Sequence, residues 1–222
     1  FVSNYFANEV FCDLGVDPAL VKYRVIHNPI DTNLFSYAPK NIDLRKKILS
    51  IRPYTARAYA NDLSVDAVLK LSKTEIFKDL SFLFVGDGEL FEETLLPLRQ
   101  FSNVKIMRCF LTQQEISLLH KEYGVFLVPT RCDTQGVSRD EAMSSGLVPV
   151  TNSVSAVTEF VDEDSGCLAA AEQAGELADF IEQLYYDSDL FSRLSYAAAR
   201  RVRSQSDADL IISKELDVFV RV

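Results

Sequence analysis

From residue 47 onward, short apolar runs recur along the chain, at residues 48–51, 82–85, 104–107, 125–128 and 148–150, with a shorter sixth at 167–168. Most are apolar at consecutive rather than alternate positions, so the strands they predict are buried on both faces. The intervening stretches carry helical spacing at 61–73, 89–100, 112–122, 136–145 and 155–162, and further helices are expected at 173–186, 189–204 and 207–219. Buried strands alternating with helices demand a parallel sheet covered on both sides. The expected fold class is therefore α/β, a doubly wound, Rossmann-like sheet over residues 47–222. In such a sheet ligands sit outside the carboxyl ends of the strands.

Residues 1–46 follow another pattern. Phe6, Val10, Phe11 and Leu14 share one face of a helix, with Ser3 or Asn4 as N-cap and Gly15 as stop. A short strand is expected from residue 23, running into a turn at 28–31 that an Asx-type bond would close. Residues 36–46, with Pro39 and mixed charge, read as a linker.

Composition narrows the function. Thirty-two acidic residues against 23 Lys and Arg give a formal charge of −9 in 222 residues. Such a field excludes a bulk nucleic-acid surface. A phosphorylated ligand would need helix N-termini and one or two arginines to hold it. The cysteines at 12, 109, 132 and 167 form no Cys-x-x-Cys pair, so reduced, mostly buried thiols of a cytoplasmic protein are expected. No apolar run approaches the roughly 18 residues of a membrane span, and no signal peptide is seen. The start at Phe1, inside a segment that already looks ordered, raises the expectation of a longer enzyme.

The stretch 125–150 is the most informative. An apolar strand gives way to a polar turn ending at Gly136, then a helix that Gly146 stops, then a second strand. Asp133 lies in the turn and Glu141, eight positions on, in the helix. The backbone N–H groups of Gly136, Val137 and Ser138 open that helix, where an anion is favoured. Glu141 can accept two hydrogen bonds from a vicinal diol such as a ribose, and Asp133 can do the same for hexose hydroxyls. Two acids eight apart are weak evidence alone. Joined to Ala142, Met143, Gly146, Pro149 and Val150 at their spacings, they resemble the donor-site signature of the retaining family 4 glycosyltransferases, two-domain enzymes that bind a nucleotide sugar in the second domain. The first acid is usually Glu in that family and here is Asp, one methylene shorter.

The resemblance extends to the other strand ends. Arg52, after the first strand, matches a diphosphate-binding arginine, and Arg57 falls at the spacing of a diphosphate-binding lysine; either can also be read as a surface charge. Gly86 and Gly88 look like the family's Gly-x-Gly, read here as a tight turn first and a ligand contact second. Phe110 and Leu111 occupy a loop that in the family meets the nucleobase, or else they are core residues at a helix entry that Thr112 and Glu115 cap. Glu159 alone matches a family loop in which Ser155, Ala156 and Thr158 now replace Gly or Pro. His120 is read as carrying no function, and 162–164 as a solvated turn rather than a metal site. Arg200, Arg201 and Arg203 form a basic patch, a solvated helix face or, as the sharper reading, a contact with anionic lipid headgroups at the inner face of the membrane.

What the resemblance implies is a donor-binding half of a glycosyltransferase: residues 1–46 as the end of an acceptor-side domain plus hinge, 47–222 as the nucleotide-sugar domain. The partners implied are a nucleotide-diphosphate sugar and a glycan or lipid-linked acceptor, with no metal and no further cofactor. Two rival readings remain: a sugar-nucleotide epimerase of the same architecture, and a non-catalytic binding or interaction domain.

Overall fold

The computed structural model describes residues 1–220. Six strands form one parallel sheet: β1 (Lys47–Ile51), β2 (Ser81–Gly86), β3 (Val104–Arg108), β4 (Val125–Leu127), β5 (Val148–Asn152) and β6 (Cys167–Ala169). Their order is β3-β2-β1-β4-β5-β6. The chain works outward from β1 in one direction, returns, and works outward from β4 in the other. The reversal opens a crevice beyond the carboxyl ends of β1 and β4. Arg52 follows β1 and the 130–136 turn follows β4, so both segments lie at that crevice.

Strand periodicity divides the core. Ile48, Phe82, Phe84, Val125 and Leu127 face one cluster, which Leu63, Val68, Leu177 and Ile181 complete. Those four come from α2 (Asn61–Leu71) and α7 (Ala174–Tyr186). The intervening residues Leu49, Leu83, Val85, Phe126 and Val128 face the opposite cluster with Ala142 of α5 (Val137–Ser144). Neighbouring residues pointing to opposite covered faces is what made the strands continuously apolar in sequence.

The N-terminal helix, α1 (Asn4–Leu14), is capped by Ser3, whose Oγ accepts from Phe6 N, and closes on Gly15 at φ 62°. The helix α4 (Gln113–Glu122) opens on a full capping box between Thr112 and Glu115. The chain then ends in α8 (Ser188–Ser206) and α9 (Ala208–Val220).

Several expectations need correction. The helix expected at 89–100 is only α3 (Phe91–Leu95) followed by a tighter turn, Leu96–Leu98, because Pro97 has no N–H to continue the ladder. The helix expected at 155–162 shrinks to α6 (Val157–Phe160), since Ser155 is left-handed at φ 48° and Val161 is already extended. No strand forms at 23–31. The segment's backbone partners are scattered, Phe1 for Arg24 and Ile26, the Gln135 side chain for Asn28, and an isolated parallel bridge between Ile30 and Asp207, so no continuous ladder forms. The turn expected at 28–31 forms instead at 31–35, with Asp31 Oδ1 accepting from the N–H groups of Asn33 and Leu34 and Asp31 O from Phe35 N. Nor are the thiols mostly buried: all four are free, Cys12 and Cys132 are exposed, Cys109 is half-buried, and Cys167 alone is buried. Among the described residues no helix is long and apolar enough to cross a membrane.

Candidate functional site

A cleft of about 390 Å³ lies beyond the ends of β1 and β4. Arg52, Gly86, Phe110, Leu111, Asp133, Gly136, Val137 and Ser138 all line it. Eight residues from four strand ends, spread over 86 positions of sequence from Arg52 to Ser138, thus meet in one place.

Arg52 continues the sheet, its N–H donating to Val85 O at 3.0 Å. Its side chain is 7% exposed. The guanidinium stacks 5.1 Å from the Tyr59 ring. Its Nη2 reaches Tyr59 O and Pro129 O only at 3.5 and 3.4 Å, and buried Nε has no partner at all. Burial pushes its pKa down, while the charge of Asp133 works the other way. A buried cation with such poor partners is costly unless something anionic joins it.

The glycines explain how the loop reaches this position. A Cβ on Gly86 would lie 1.9 Å from Arg52 O, and one on Gly88 would lie 2.3 Å from Tyr54 C. The Gly-x-Gly turn therefore lets two backbones touch and sets the height of Arg52 above the sheet. Between them, Asp87 is held by Arg108 at 2.7 Å.

The 130–136 turn is fixed from several sides. Asn152 accepts from Thr130 N and donates to Thr130 O, both at 2.8 Å, extending the pairing of β4 and β5 with a side chain. Arg131 forks onto Asp62 and onto Glu172, with all four bonds at 2.8 Å. Asp133 Oδ1 accepts from Gln135 N at 3.1 Å. Gly136 takes φ 90° and has no side-chain cap to offer α5. A Cβ there would also lie 2.6 Å from Arg139 Nη1. The first residues of α5 line the cleft with no side-chain cap on their amides, which puts the partial positive charge of a helix start in the cleft that Arg52 also lines.

Beneath the turn lies a charge pair that the sequence reading passed over. Arg139 and Asp140 are 2% and 1% exposed, paired at 2.8 Å. Arg139 also donates to Gln135 O and lies 5.5 Å from the Phe160 ring. The only signal in the sequence was two adjacent charges inside a stretch otherwise read as ligand-facing.

Glu141 does not line the cleft. It is 8% exposed, one turn along α5 on the same face as Val137 and Ser138, with Gln113 Nε2 at 3.5 Å from Oε1. Burial first, and then Asp140, raises its pKa to about 7. Phe110 is 82% exposed at the cleft mouth, whereas Leu111 packs partly into the core.

Two expected donor contacts are placed elsewhere. Arg57 lines a separate cleft of about 280 Å³ with Asp62, Asp66 and Glu93, because residues 57–59 form a turn that carries it away from Arg52. Glu159 is occupied by α1: its carboxylate accepts from Asn4 N, Asn4 Nδ2 and Tyr5 N at 2.9, 3.0 and 2.6 Å. His120 is fully buried and bonded to Ser145 Oγ at 3.1 Å, and desolvation holds its pKa near 3. In the basic patch Arg201 pairs with Asp162, while Arg200 and Arg203 line a small hollow with Tyr37 and Tyr196.

Residues 45–187, more than half of the chain, match the family model described as glycosyl transferases group 1. The chain belongs to that family. A glycogen synthase of Thermodesulfovibrio yellowstonii is 26% identical over 204 residues, covering 86% of this chain and 40% of the relative. A UDP-Gal:alpha-D-GlcNAc-diphosphoundecaprenol alpha-1,3-galactosyltransferase of Escherichia coli is 26% identical over 152 residues, covering 64% and 39%. The chain thus spans about two-fifths of these relatives' lengths. Among solved structures, a glycosyltransferase from Rickettsia africae superposes with a TM-score of 0.81 at 18% identity, over 98% of this chain and 61% of that one. Anabaena Alr3699/HepE, solved with UDP and glucose, superposes at 0.79 with 17% identity, over 100% and 62%. The Rossmann-like fold is shared with these glycosyltransferases.

Proposed function

We propose that the cleft binds a nucleotide-diphosphate sugar, and that the enzyme to which this chain contributes transfers the sugar to a glycan or lipid-linked acceptor with retention of configuration, in surface polysaccharide synthesis. The observation that carries this is Arg52, a buried guanidinium with an unpartnered Nε that lines the same cleft as the uncapped start of α5. In this reading Arg52 and the amides of 136–138 hold the diphosphate and take up its charge as the sugar leaves, with no metal or further cofactor. Asp133, on the cleft wall, orients the hexose. Glu141, set just behind the cleft wall on the same face of α5 as Val137 and Ser138, turns its side chain into the cleft to clasp the ribose hydroxyls, and Phe110 offers the nucleobase an exposed aromatic face. Arg57 and Glu159 have no part in the donor site.

Residues 1–46 are then the end of an acceptor-side domain with its hinge, and residues 47–222 the donor-side domain. Support for a uridine donor and a lipid-linked acceptor comes from the relatives: HepE was solved with UDP, and the Escherichia coli enzyme's name specifies UDP-Gal and a diphosphoundecaprenol acceptor. A cytoplasmic enzyme, peripheral on the inner face of the membrane, fits such an acceptor.

Calorimetric titration with UDP-, GDP- and dTDP-sugars tests the proposal. Uridine and guanosine donors, which carry both ribose hydroxyls, should bind more tightly than the deoxyribose donor, and Glu141→Ala should erase that difference. No heat with any of the three would refute the donor site.

A further inference from the structure

The residues set aside from the donor site form a connected structure of their own. Glu159 grips the first two amides of α1 at 2.9 and 2.6 Å. Its own backbone lies within α6, whose preceding residue, Ala156, donates its N–H to Asp133 O at 3.2 Å. Gln135 makes a second connection. Its side-chain amide pairs with a distant backbone as a peptide would, accepting from Asn28 N at 2.6 Å and donating to Asn28 O at 3.1 Å. The same amide nitrogen lies 3.2 Å from Asp140 Oδ2. Between the two connections, the Phe160 ring is packed by the His27 ring at 4.9 Å and by the Arg139 guanidinium at 5.5 Å. Residues 1–31 therefore touch the Asp133 turn through two independent routes, one beginning at residue 4 and one at residue 28.

Neither route uses a group that faces the cleft. Both end on the short turn whose carboxylate and amides do. A short turn held by a buried ion pair below and two long-range anchors behind has few ways to shift one anchor without the other.

We propose that Glu159 and Gln135 are positioning residues that join the seating of residues 1–31 and the geometry of the Asp133 turn into one equilibrium. The functional consequence, which rests on the donor-site reading above, is that nucleotide binding tightens the seating of α1, and loosening α1 weakens nucleotide binding by the same factor.

Amide hydrogen exchange on the 222-residue chain tests this without any ligand. Glu159→Ala should speed exchange at Asn28 and Gln135, which Glu159 does not touch, by about fivefold or more. Reciprocally, Gln135→Ala should speed exchange at Asn4 and Tyr5. The amide of Leu83 in β2 should keep its rate in both. Acceleration confined to the amides that each side chain itself bonds would overturn the proposal. If Glu159→Ala does not fold, Gln135→Ala decides alone. A nucleotide arm separates this inference from the functional one. UDP should slow exchange at Asn4 and Tyr5 in the native chain and fail to do so in Gln135→Ala. UDP that binds without slowing those amides overturns the coupling and leaves the donor site standing. UDP that does not bind refutes the donor site, and the two variants still decide the coupling.

Discussion

Arg139 and Asp140 show how much a single buried charge can depend on its neighbour. Burial raises the pKa of Asp140, and the Arg139 guanidinium opposes that shift. Arg139→Ala should therefore cost about 3–5 kcal/mol, measured by urea denaturation, because Asp140 is left buried without its cation, with only the Gln135 amide beside it. Replacing both with Met and Leu should recover most of that loss, since the pair's attraction only offsets its desolvation. Glu141 gives a pH-dependent counterpart. Its folded pKa, about 7, lies above the unfolded carboxyl value, so the native state holds the extra proton. Its contribution to stability is thus lost as pH rises through that window. Glu141→Gln should raise Tm relative to the native chain at pH 8 and much less at pH 5. Ribose binding needs the ionised form, so donor affinity should instead increase from pH 6 to pH 8, with proton release on binding. A flat profile in both measurements would remove Glu141 from the site.

At the scale of elements, local rules decided most of what the sequence revealed. The Thr112 and Glu115 spacing specified a capping box, and Thr112→Ala should cost about 1 kcal/mol by thermal denaturation. The strands were legible because burial on both faces leaves an unbroken apolar run, and their ends bring Arg52, Gly86, Phe110 and Asp133 around one cleft. Failures came where a distant partner overrides local pattern. Nothing near residue 159 signals that its carboxylate will cap a helix beginning at residue 4. Likewise the five-residue spacing of Arg52 and Arg57 says nothing of the turn at Arg57–Tyr59 that parts them. The stretch at 23–31 has the composition of a strand, but its partners, Phe1, Gln135 and Asp207, come from separate segments and make no ladder. The Gly-x-Gly turn stands between these cases. Its glycines were visible, yet their purpose, contact with the backbone of 52–55, required three dimensions. Gly86→Ala should displace Arg52 and weaken UDP binding by at least about tenfold, a loss of one charge-assisted contact.

Across the whole molecule, a doubly wound sheet supplies a crevice at its point of reversal, and a net charge of −9 makes that crevice exceptional. An anion approaching this protein meets an unfavourable field nearly everywhere else. In the cleft the attraction comes from Arg52 and the start of α5 alone, so binding there should be local, specific and only modestly salt-dependent. The most direct test of the account is a crystal structure of the chain grown with UDP. The diphosphate should lie within hydrogen-bonding distance of Arg52 and of the amides of residues 136–138, with the uracil against Phe110. Density for the nucleotide in the cleft beside Arg57, or anywhere that leaves Arg52 without an anion, would contradict it.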